Sequence, residues 1–169
     1  PDGRSGWVLS KQRFEIRSET GNPILASPRG RPDDTDGGSM DVSPDGRWAV
    51  SKAGANAALI WNLTEPRAPQ RVALTNLHSF CFHPKEPRLL LMRDHRVEER
   101  AFAVQTNDRR ASVTLGTAIS RSIVEGRLPE LITTSANGRT RVYVELRRGA
   151  IWLENTDSTN GLIQLEKIY

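Results

Sequence analysis

The sequence predicts an all-β fold assembled from a unit of four short antiparallel strands that returns about every forty residues. Three observations lead there. Pro1-Asp2-Gly3-Arg4 returns as Pro44-Asp45-Gly46-Arg47, Trp7-Val8-Leu9-Ser10-Lys11 returns 41 positions later as Trp48-Ala49-Val50-Ser51-Lys52, and His83-Pro84 falls 40 positions after Ser43-Pro44. Inside each period, short runs of Val, Ile, Leu, Thr and aromatics are punctuated by Gly, Pro, Asn and Asp, the texture of strands and turns. No segment keeps apolar residues at helical spacing for three turns.

The first unit, 1–28, is expected to hold strands at 6–10, 13–17 and 23–26 and to lack its opening strand. Segment 26–38, rich in Asp, Gly, Pro and Arg, reads as an exposed loop. The second unit, 38–76, places strands at 39–42, 48–52, 58–63 and 70–74. Between its first two strands Pro44 presets φ, Asp45 can bond its own backbone and Gly46 tolerates φ > 0, so a tight turn is expected there. The third unit, 77–116, has strands at 79–82, 89–93, 101–105 and 111–115. The fourth, 117–158, has them at 119–124, 130–134, 141–146 and 150–154, and a tail strand follows at 162–168. That placement aligns Leu131–Ala136 with Trp48–Ala53, and Arg141–Leu146 with Ala58–Leu63, at one shared offset of 83.

Composition narrows the function. Hydrophobic residues make up 37% and charged residues 26%, with no run near the roughly 20 apolar residues that span a bilayer. Net charge is +4, but the 20 Arg and 4 Lys are dispersed among acidic residues rather than gathered into a stripe, which argues against nucleic acid. The single cysteine, Cys81 between Phe80 and Phe82, reads as a small buried thiol in a reducing cytoplasm.

At Asp41-Val42-Ser43-Pro44-Asp45-Gly46-Arg47-Trp48-Ala49-Val50-Ser51 the chain resembles a WD-repeat β-propeller blade, and Ala58-Leu59-Ile60-Trp61-Asn62-Leu63 resembles the close of its third strand, with Asn62 for the usual Asp. Phe82-His83-Pro84 matches the same opening in the third unit. No Gly-His dipeptide precedes any unit, and the usual Asp between the second and third strands is missing from Gly54–Ala57, so the repeats are degenerate. The resemblance implies about four blades. Either they are the C-terminal part of a longer propeller, or the tail strand supplies the first unit's missing strand and closes a small ring. Tyr143 is then expected at the position of Ile60 or Trp61, with Trp48 and Trp61 buried on strands two and three of one blade.

Catalytic, cofactor and metal sites are not expected. His78, His83 and His95 lack close ligand spacing, and strand alternation points Cys81 and His83 away from His78. Ser120 and Ser158 lack a Gly-x-Ser-x-Gly context, and the loop Asp33-Asp34-Thr35-Asp36-Gly37-Gly38 lacks the closing Glu of a calcium loop. A propeller enzyme would need His, Asp or Glu from different blades to meet in one pocket. Trp152–Gly161, with Ile119-Ser120-Arg121, also resembles part of a forkhead-associated domain, a phosphothreonine-binding β-sandwich, but the histidine expected after that arginine is absent. The expected function is a non-catalytic protein-interaction scaffold, binding through loops carried by rigid strands. Arg29, Arg31, Arg93 and Arg96 are the expected contacts, as bidentate donors to acidic partner surfaces.

Overall fold

The structure, a computed structural model, describes residues 5–10, 13–18, 23–26, 40–65, 68–94, 96–107, 110–123, 129, 131–145, 148–157 and 162–165. Fifteen strands and no α-helix occupy these residues. The chain divides into two compact units, Pro1–Thr75 and Asn76–Tyr169.

In the first unit, β1 (Ser5–Ser10), β2 (Arg13–Ser18) and β3 (Pro23–Ala26) form one antiparallel sheet in chain order. A second antiparallel sheet runs β4 (Met40–Val42), β5 (Trp48–Lys52), β6 (Ala57–Asn62) and β7 (Gln70–Ala73), again in chain order. All of these fall within two residues of the expected strands. β5 and β6 are buried on both faces, as their near-continuous apolar runs require. Trp48 and Trp61 lie buried on the second and third strands of this sheet, as the repeat predicts. Trp61 packs with Ala49, Ala53, Ala57, Leu59 and Leu63, and its Nε1 donates to Ser51 Oγ at 2.9 Å.

In the second unit, β8 (Leu77–Phe82), β9 (Arg88–Arg93), β10 (Arg96–Asn107) and β11 (Arg110–Ile123) form a third sheet. β12 (Leu131–Thr134), β13 (Thr140–Glu145), β14 (Ala150–Asn155) and β15 (Leu162–Leu165) form a fourth. Two expectations are corrected here. Residues 119–123, expected to open the fourth unit, continue β11, and 120–123 pair with Arg96–Glu99. Register shifts near Arg100 absorb the extra residues and let the hairpin run on. Gly116, read as a boundary, instead permits close approach: a Cβ there would lie 3.2 Å from Ala101 Cβ. The second correction concerns the tail. β15 pairs with β14 as the last strand of the fourth sheet, so it does not complete the first sheet.

One turn recurs in three sheets and fixes their true alignment. The amides of Ser43, His83 and Ser135 donate to the carbonyls of Trp48, Arg88 and Thr140 at 2.9, 2.9 and 2.8 Å. In the two serine turns the hydroxyl oxygen accepts from the amide five residues on, Trp48 at 2.9 Å and Thr140 at 3.0 Å. The neighbouring Asp45 or Asn137 oxygen accepts from the amides of Arg47 and Arg139. Gly46 and Gly138 close these turns at φ +70° and +75°, where a side chain would be strained. Finally the last turn carbonyl, of Arg47, Pro87 or Arg139, accepts from Leu63 or Thr156 just beyond the third strand, or from Phe102 within it, at 2.7–2.8 Å.

Ser135 therefore matches Ser43 at 92 positions, not 83. Leu131–Thr134 is a first strand, not a second, and β13 is a second strand, not a third. Tyr143 accordingly stands where Ser51 stands, and Glu154 where Trp61 stands. The cross-strand bond survives with its chemistry exchanged, because the Tyr143 hydroxyl donates to the Glu154 carboxylate.

Replacing Ser43 or Ser135 by Ala removes the acceptor of a strand amide, buried at Trp48 and part-buried at Thr140. Each substitution is expected to cost roughly 1–2 kcal/mol of unfolding free energy in urea titrations, Ser43→Ala the more, with circular dichroism unchanged under native conditions.

Candidate functional site

The candidate site lies where the third and fourth sheets pack together. Cys81, Leu90, Met92 and Val97 meet Ile132, Tyr143, Ala150 and Trp152 in one apolar cluster, and the Ile132 amide donates to the buried Ser79 hydroxyl at 3.2 Å. Cys81 is a buried thiol in no disulfide, as its sequence context predicts. At the turn end of this cluster the chemistry becomes ionic.

Strand alternation on β10 sends Val97 and Glu99 to the face that meets the fourth sheet. The Glu99 carboxylate, only 6% exposed, is paired with Arg141 of β13 and with Arg88 of β9, the latter at 3.3 Å. Arg141 also reaches Glu154 at 3.3 Å, and Arg88 reaches Glu86 at 2.9 Å. Buried charge of this kind persists only when paired, and here each guanidinium bridges two carboxylates. Burial first, and then Glu154 beside it, push the pKa of the Tyr143 hydroxyl upward, so it remains a donor. The network lines an open cleft of about 420 Å³, with His83, Gly138, Asn155 and Thr156 at its margin.

His83 occupies the turn position held elsewhere by serine. Its Nδ1 accepts from the amides of Glu86 at 3.0 Å and Lys85 at 3.3 Å, which places the imidazole proton on Nε2. Burial, together with the cations Arg88, Arg141 and Lys85 and against the pull of Glu86, holds its pKa below the ordinary 6.5. Gly138 meets the other side of the ring: a Cβ there would come within 2.8 Å of Nε2.

The arginines expected to bind partners are placed differently. Arg29 and Arg31 lie outside the described residues. Arg93 is the last residue of β9, and its side chain, 14% exposed, is paired with Glu98 at 3.3 Å. It is therefore committed within its own sheet rather than free on a loop. Glu98 also accepts from Arg100 at 2.8 Å, so both faces of β10 carry a paired glutamate. Arg96 alone of the four is described as exposed. It faces Arg93 across a two-residue connection, where a seven-residue loop was expected. Asp94 enters that turn at φ +47° and accepts from Asn76 at 2.6 Å.

The sequence reading passed over Glu99, Arg141 and Glu154. A signal was present: a charged residue two positions from a buried apolar one, and so on the same strand face, as Glu99 after Val97 and Arg141 before Tyr143. The forkhead-associated alternative finds no support in the connectivity. A β-sandwich is joined by connections that cross between sheets, whereas every sheet here is a run of consecutive strands.

No known protein family matches the sequence, and no curated protein matches it. Among solved structures 474 chains match, so the architecture is a common one and does not select a function. One is the structure of U3-55K, with a TM-score of 0.59 and 14% identity over 97% of this chain. The likeness is one of fold: all-β, in antiparallel sheets of three or four consecutive strands, consistent with part of a β-propeller. The chain spans about half of that structure, 49% of its length. Among the described residues no helix is long and apolar enough to cross a membrane.

Two outcomes follow. Glu99→Gln leaves Arg141 with Glu154 as its remaining carboxylate and is expected to cost roughly 1–3 kcal/mol, read by urea denaturation. His83 has a depressed pKa in the folded state, so its contribution to stability is complete above about pH 6.5 and is lost as pH falls through the folded value. His83→Ser, the residue of the two sister turns, should flatten that part of the stability profile below about pH 6.5. An unchanged acid slope would show that His83 is not its source.

Proposed function

We propose that the chain is a non-catalytic protein-interaction module of WD-type propeller blades, acting in the cytoplasm and binding through the turn edges of its sheets. The carrying observation is the closed ion-pair network of the cleft. His83, Glu99 and Glu154 do converge from neighbouring sheets, as an enzyme would also require. Yet Glu99 and Glu154 are held by arginines, and the His83 Nδ1 lone pair is taken by backbone amides. Groups spent in this way rigidify a surface rather than accept a substrate proton. The fold likeness to U3-55K supports the propeller part of the reading. The lone buried thiol of Cys81 suits a reducing compartment.

Two edges are offered. The cleft margin presents Glu86 beside Arg88, and the opposite strand ends present Arg96, suited to an acidic partner. Screening a peptide array of graded charge against the chain tests this. Acidic peptides are expected to bind, and Arg96→Glu to slow their association several-fold with a weaker salt dependence, while Glu86→Arg leaves them unaffected. Binding indifferent to both substitutions, or an esterase or lyase activity abolished by His83→Ser, would overturn the reading.

A further inference from the structure

The cleft between the third and fourth sheets has an uneven charge count. Glu86, Glu99 and Glu154 line it, against Arg88 and Arg141. Their ion pairs form one chain, Glu86–Arg88–Glu99–Arg141–Glu154, with a carboxylate at each end. The arginines and the central Glu99 each bridge two opposite charges, whereas Glu86 and Glu154 pair with one arginine apiece. In both of these a single oxygen is engaged. Glu86 Oε2 meets Arg88, and Glu154 Oε2 accepts from Arg141 and from the Tyr143 hydroxyl. Among the described residues nothing engages either Oε1, and the two side chains keep 47% and 23% of their surface exposed. Lys85 stands exposed on the same turn but does not line the cleft. The lining therefore carries one net negative charge, which disfavours an anion and favours one added cation.

One apolar side chain sits among these charges. Glu99 pairs with Ser120 and Arg100 with Ala118, so Ile119 between them is the extra residue of a β-bulge. A bulge re-aims a side chain, and this one leaves Ile119 on the cleft wall, 54% exposed. An exposed isoleucine beside two part-exposed carboxylates suits a group that is apolar along its stem and cationic at its tip. Lysine and arginine both have that shape. The planar guanidinium is the better match, because Arg88 and Arg141 already span pairs of carboxylates in this cleft.

We propose that this cleft receives an arginine side chain of a partner protein, its methylenes against Ile119 and its guanidinium on the Glu86 and Glu154 carboxylates. The assignment names the partner chemistry of one edge of the interaction module and rests on that reading. With the added guanidinium, three cations stand against three carboxylates and the alternation of charge continues by one member. The cleft, about 420 Å³, has the size of a ligand site and exceeds one side chain, leaving room for the flanking partner backbone. This edge selects the charge opposite to that selected at Arg96.

Amide NMR titration of the intact chain tests this, with short serine-glycine peptides carrying a central arginine, citrulline or lysine. The arginine peptide is expected to shift the amides of Ile119, Gly138 and Thr156 saturably. Citrulline, alike in shape but uncharged, should bind at least about tenfold more weakly, and lysine about threefold more weakly. Glu86→Gln should weaken the arginine peptide about fivefold, and Ile119→Ser about threefold. Asp94→Asn removes one carboxylate just past the opposite end of β9 and should leave binding unchanged. Circular dichroism of the three variants confirms that they fold. No binding, citrulline or lysine as tight as arginine, or indifference to both Glu86→Gln and Ile119→Ser overturns the proposal. Acidic peptides bound through Arg96 would in that case still uphold the interaction reading. Covalent conversion of the arginine peptide would instead overturn that reading and leave the arginine site standing.

Discussion

Three side-chain acceptors organise this molecule. Ser43, His83 and Ser135 each cap the turn between the first two strands of a sheet, and the carbonyl four residues on ties that turn to the third strand or to the residue after it. A hairpin alone is marginal in water, but a three-strand clasp sets register across most of a sheet. With register fixed, alternation decides which face each residue occupies, and thereby where cores and charges lie. Glycine at φ near +70° is what lets the two serine turns close so tightly.

The ion-pair network is a consequence of that register. In the second sheet the cross-strand position pair is Ser51 and Trp61, a neutral hydrogen bond inside an apolar layer. In the fourth, the same pair is Tyr143 and Glu154, and the carboxylate brings Arg141 with it. Arg141 in turn binds Glu99 of the neighbouring sheet. Shape alone would let two apolar sheet faces slide; a buried ion pair between them makes one alignment far better than its neighbours. His83 adds a second lock, its ring seated against Gly138 of the adjacent turn.

Much of the fold was legible in the sequence, because the signals were local. Pro44-Asp45-Gly46 marks its own turn, and the strands of the first two sheets follow from alternation between punctuating residues. Errors gathered where a long-range choice competed with a local one. Gly116 resembles a turn residue but serves close strand packing beside Ala101, and so the fourth unit was started too early. The unusually long β10–β11 hairpin stretches the third-to-fourth spacing to 52 positions, which a search for a period near forty cannot find. Asn137 in place of Asp45, with Ala136 in place of Pro44, then disguised the third turn although its hydrogen bonds are the same. The cleft was illegible for another reason. Its charges come from two sheets, and only the corrected register brings Glu99 and Arg141 to one interface.

Native-state amide hydrogen exchange, resolved by residue, addresses the clasp most directly. The amides of Leu63 and Thr156 are bound to turn carbonyls just beyond their strands, in positions that would otherwise be loop, and the Phe102 amide is bound to one at the register shift of β10. The account predicts that all three exchange as slowly as the central strand amides around them, protected by opening of a whole sheet. Fast exchange at Thr156, with Leu63 still protected, would contradict the equivalence of the three turns and the register built on it.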